Sequence, residues 1–144
     1  MKKSTFIEKL DQAAIAAAIA DAERNTSGEI RVVLSHQPAP EPVAAAKAAF
    51  VRLRMEKTAD RNGVLIFVAP ESQTFAIVGD TGIHRQCGPD FWKDVAAAMS
   101  ASFAAGDFGA GLTAAIRQAG ELLRRHFPRR RDDLDELPNT VVEQ

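Results

Sequence analysis

The sequence predicts an α/β domain, a layered α/β/α sandwich whose small mixed sheet is flanked by about four helices. Three observations predict it. Helical and strand-like hydrophobic periods alternate along the chain in the order α-β-α-β-β-α-α. A strand, a helix and a second strand between residues 29 and 69 form a unit whose strands are expected to run parallel, joined by a right-handed crossover. The second and third strands are separated only by Pro70-Glu71-Ser72-Gln73, a connection of hairpin length.

Each element has its own signature. Over residues 5–24, Thr5 and Glu8 have capping-box spacing, and Ile15, Ala18, Ile19 and Ala22 form one apolar stripe. Asn25-Thr26-Ser27-Gly28 ends that helix, with Gly28 suited to a left-handed backbone. Residues 29–35 are a β-branched strand, and a Pro-rich loop from His36 leads to Pro42 at the first position of a second helix. That helix is expected over residues 42–57, with Val43, Ala46, Phe50 and Leu53 on its inner face. Gly63 to Ala69 is apolar nearly throughout, as a strand covered on both faces is. Thr74 to Val78 completes the hairpin, and residues 79–88 read as a Gly-rich loop. Pro89 then opens a helix carrying Trp92, Val95, Met99 and Phe103 on one side as core anchors. Gly106-Asp107-Phe108-Gly109 breaks it, and a last helix over residues 110–127 buries Leu112, Ile116, Ala119 and Leu123.

The length of 144 residues fits one domain, placed at residues 1–128, with a polar tail over residues 129–144 in which Leu134 and Leu137 are the docking candidates. A net charge of −1 gives no nucleic-acid surface. Cys87 is the single cysteine, which excludes an intrachain disulfide. Glu8, Lys9, Asp11 and Gln12 interrupt the apolar stretch that a signal peptide needs, and no run approaches the roughly 18 apolar residues of a membrane span. The cytoplasm is the expected location.

Four motifs, in order, resemble the TPM domain family. They are Thr26-Ser27-Gly28-Glu29-Ile30-Arg31-Val32-Val33, Asp60-Arg61-Asn62-Gly63-Val64-Leu65-Ile66, Ile77-Val78-Gly79-Asp80-Thr81-Gly82, and Phe103 to Leu112 around Gly106-Asp107-Phe108-Gly109. The resemblance spans about residues 5–127. It implies helices about a small sheet, and members are described as calcium-binding, as acid phosphatases or as accessory subunits of membrane assemblies. The chain departs from the commoner pattern where Gly-Tyr-Gly is replaced by Gly79-Asp80-Thr81-Gly82, followed by His84, Arg85 and Cys87. In this it resembles a soluble subgroup.

The predicted topology brings chemistry together. Parallel strands one and two start at the same end of the sheet, where the antiparallel third strand finishes, so Glu29, Asp60 and Asp80 are expected at one edge. Asp107, at the helix–helix break, is the fourth candidate. Such carboxylates with loop carbonyls suit a hard cation, Ca²⁺ or Mg²⁺. Arg61, His84 and Arg85 are the candidates for holding an anion or moving a proton. Structural roles compete for the same residues: Asp60, Asp80 and Asp107 all sit where a turn or helix needs a cap. Asp80-Thr81-Gly82 and Asp107-Phe108-Gly109 match protease and kinase tripeptides without the surrounding fold, and no nucleophile–base pair identifies a catalytic residue.

The sequence therefore points first to a non-enzymatic accessory module for a protein partner, in a membrane-associated complex, with a divalent-cation site at the acidic edge. A metal-assisted acid phosphatase acting on phosphomonoesters is the alternative.

Overall fold

Strand β1 (Glu29–Leu34) pairs in parallel with β2 (Gly63–Ala69), and β2 pairs antiparallel with β3 (Thr74–Gly79) across the short 3-10 turn Pro70–Ser72. The computed structural model describes residues 12–58, 60–88, 90–129 and 141–143. Around the sheet lie α1 (Gln12–Glu23), α2 (Pro42–Arg52), α3 (Thr81–Cys87), α4 (Lys93–Ala104) and α5 (Phe108–His126). A further strand, β4 (Val142–Glu143), gives the mixed sheet the order β3-β2-β1-β4. The α/β class and the βαβ-plus-hairpin arrangement are those predicted. No helix among the described residues is long and apolar enough to cross a membrane.

Strand alternation splits the core in two. Ile30, Val32, Leu34, Val64, Ile66 and Val68 face α1, α4 and α5. Val33, Leu65, Phe67 and Ala69 face α2. All of β2 is buried, as its continuous apolar run predicted. The stripes of α1, α4 and α5 also lie as expected, with Ile15, Ile19, Val95, Met99, Leu112 and Leu123 each at most 1% exposed.

Four expectations are corrected. Residues 79–88 are not a loop, because Asp80 caps a helix there: its Oδ1 accepts the Thr81 N–H at 2.6 Å. The second helix stops at Arg52, and Arg54, at φ 58°, turns the chain so that Met55 is buried. Val43 is 54% exposed, and the inner face of α2 is Ala46, Ala49 and Phe50. Gly28 is not in the left-handed region; a Cβ there would lie 2.9 Å from Leu123 Cδ1, so its role is close packing. Thr5, Glu8, Pro89, Leu134 and Leu137 lie outside the described residues.

Candidate functional site

The register sets the site. Glu29 is level with Gly63, and Gly79 with Val64, so the starts of β1 and β2 and the finish of β3 share one end of the sheet. The loop before β2 and the N-terminus of α3 are joined there. Asp80 N–H donates to Gly63 O at 2.9 Å, and Gly82 N–H to Arg61 O at 2.8 Å. Arg61 adopts φ 50° and reaches across to Asp80, donating from Nε to Oδ2 at 2.9 Å and from Nη2 to Oδ1 at 3.1 Å. These hydrogen bonds, and then the charge of Asp80, raise the Arg61 guanidinium further above its ordinary value. The Asp80 side chain is 4% exposed, and that of Arg61 is 46% exposed.

Gly82 makes this approach possible. A Cβ at that position would stand 2.2 Å from Asp60 O and 2.5 Å from Arg61 O. The glycine that suggested a loop is therefore a packing residue in the first turn of a helix.

On the other side, the entry to β1 is tied to the end of α5. Thr26 Oγ1 donates to Phe127 O, Ser27 N–H donates to the same oxygen at 3.0 Å, and Gly28 N–H donates back to Thr26 Oγ1 at 3.0 Å. Ser27 also serves the loop before β2, donating from Oγ to Asp60 Oδ2 at 3.3 Å and accepting from Asn62 Nδ2 at 3.1 Å. Between these supports opens a crevice of about 450 Å³, lined by Ser27, Asp60, Arg61, Arg85, His126 and Phe127 among others. Arg85 is exposed and has no ion-pair partner among the described residues.

The sequence-predicted residues separate on this geometry. Asp60, Arg61 and Arg85 line the crevice, whereas Asp80 is buried outside that lining and held by Arg61. Glu29 is at the same end but 3% exposed, on the sheet face of Val33 and α2, away from the α5 side. His84 is exposed on α3 outside the crevice lining. Asp107 belongs elsewhere: its neighbours Phe103 and Phe108 meet edge to face, and Phe103 meets Phe75 at the start of β3, the opposite end from Asp80. Asp107 occupies the N-cap position of α5 without a side-chain capping bond. Among the described residues, no three acidic, histidine or cysteine side chains gather to hold a metal ion. Ser27, Asn62 and His126 are site residues that sequence reasoning missed. The motif containing Ser27 and Asn62 was visible, but only the fold brings residues 27, 62 and 126 together.

The family profile of the TPM domain matches residues 1–122. The chain belongs to the TPM domain family. A solved structure with the same fold is the NMR structure of BA42 protein from the psychrophilic bacterium Bizionia argentinensis. It is 43% identical, with a TM-score of 0.87 over 94% of this chain and 96% of that one. No curated protein matches. The four motifs of this TPM domain thus coincide with its structural joints: two supply Ser27, Asp60 and Arg61 to the crevice lining, the third caps α3, and the fourth joins α4 to α5 at the far end.

Proposed function

We propose that this TPM domain is a non-enzymatic accessory module that binds a protein partner, with the crevice receiving an acidic group of that partner on Arg85. The observation that carries this reading is how the charges are divided. Asp80 is nearly buried and accepts three hydrogen bonds from Arg61 and Thr81, whereas Arg85 faces the crevice with no acidic partner among the described residues. A carboxylate held in this way is poorly placed to move a proton, while an exposed guanidinium suits a bidentate anion. The proposed setting is cytoplasmic, at a membrane-associated complex. A Ca²⁺ or Mg²⁺ ion in the crevice belongs to the same proposal, held by Asp60 with loop carbonyls and water, because such cations take oxygen ligands.

Two titrations test this reading. A short acidic peptide is expected to bind the wild type and to lose binding in Arg85→Glu; equal binding by both proteins would overturn the anion site. Metal-free protein titrated with Ca²⁺ and then Mg²⁺ is expected to show one site that disappears in Asp60→Asn. Absence of heat in the wild type would remove the cation from the proposal.

The metal-assisted phosphatase reading draws on Asp60, Arg61 and Arg85 sharing one crevice. Metal-dependent turnover of phosphomonoesters between about pH 5 and 8, lost in Asp60→Asn, would establish it in place of the first.

A further inference from the structure

Without two residues of the chain's own tail, β1 would be the edge of the sheet. Glu29 and Ser35 turn their N–H groups to the β2 side, onto Asn62 O at 3.5 Å and Val68 O at 2.8 Å. Alternation therefore turns those of Ile30, Val32 and Leu34 to the outer edge. That edge is closed from both ends. Near its start, the buried carboxylate of Glu23 accepts the Ile30 N–H at 2.7 Å. Near its finish, β4 pairs in parallel, Val33 with Val142 and Leu34 with Glu143.

The seat holds its occupant by side chains as well as by backbone. Val141 packs into the core on the α1 side and Val142 into the core on the α2 side, as successive residues of a strand must. Glu143 is held between Gln12, whose Nε2 donates to Oε1 at 2.7 Å, and His36, whose Nε2 lies 3.7 Å from Oε2. Two apolar residues and one acidic residue are thus read in register. Yet β4 covers only the last part of a six-residue strand. An occupant this short, joined through few ladder bonds, opens more readily than the central strands do.

We infer that the outer edge of β1 is a strand-docking site for an extended segment of a protein partner, two β-branched residues followed by an acidic one. Val141-Val142-Glu143 is its intramolecular occupant, displaced when the partner's strand adds. Main-chain hydrogen bonds would supply affinity, and the two valine seats and the Gln12–His36 clasp would supply selectivity. The site uses none of the crevice residues.

The test uses the chain of residues 1–144 and a labelled peptide of sequence Leu-Pro-Asn-Thr-Val-Val-Glu-Gln, residues 137–144. Val142→Pro removes a ladder donor, and Glu143→Lys removes the clasp without altering the strand backbone. Both variants should speed amide exchange at Leu34 and bind the peptide about tenfold or more tighter than the wild type, because a tethered competitor has been released. A peptide with aspartate at both valine positions should not bind, and Arg85→Glu should leave binding unchanged, which separates this site from the crevice. Faster Leu34 exchange without tighter peptide binding would overturn the docking site. Unchanged exchange in both variants would overturn the tail as its occupant. Dimers formed without peptide would replace the partner with a second copy of the chain.

Discussion

Arg61 and Asp80 form a two-bond ion pair across the end of the sheet, at 2.9 and 3.1 Å, linking the loop before β2 to the first turn of α3. The same aspartate caps that helix, so one carboxylate fixes two elements. Asp80→Ala is expected to cost about 1–2 kcal/mol from the lost cap alone. Asp80→Asn, which keeps a capping oxygen but not the charge, is expected to cost less. Urea denaturation of the two variants checks the order; equal losses would mean that capping contributes little.

Gly82→Ala is expected to destabilise the fold by about 1–3 kcal/mol, since its methyl would meet the backbone oxygens of Asp60 and Arg61. Gly28→Ala is expected to be milder, because the obstacle there is the side chain of Leu123. Thermal unfolding of both proteins reads this difference. A Gly82→Ala protein as stable as wild type would show that the loop before β2 shifts freely.

The layered core predicts a steep contrast between positions of similar chemistry. Leu112, fully buried between the sheet and its helical layer, should lose about 2–5 kcal/mol on change to alanine. Val51, 67% exposed on α2, should change stability by no more than about 0.5 kcal/mol on replacement by serine. Denaturant midpoints measured in parallel decide it.

Burial pushes the Cys87 thiol above its ordinary value of 9.0. A raised value leaves less thiolate at neutral pH, so labelling by a thiol reagent should be slower than for a free cysteine. The rate should go on climbing as pH rises through 9.0. A rate profile that levels off below that pH would contradict the burial effect.

How much of this was legible in the sequence depended on whether the cause was local. The periods of Ile15 and Ile19, of Leu112 to Leu123, and of the all-apolar β2 each report a buried face directly, because repeat length and burial are the same geometry. The placing of Glu29, Asp60 and Asp80 at one end of the sheet followed from topology alone, since a parallel pair and a hairpin leave only one end for all three. The glycines misled. Gly82 and Gly28 were read for backbone freedom, whereas their use is the absence of a Cβ beside a neighbour distant in sequence.

The sequence by itself determined the class of fold, the relative directions of the first three strands and the shared end of Glu29, Asp60 and Asp80, because these follow from hydrophobic period and connection length. Only the tertiary structure decided what those residues do there. Asp80 is taken by Arg61, Asp107 lies at the far end, Ser27 and His126 enter the crevice, and a two-residue tail strand closes β1. Each of these depends on how segments separated in the chain are placed, fixed by how helices and sheet stack and by which hydrogen bonds remain to be satisfied once they have.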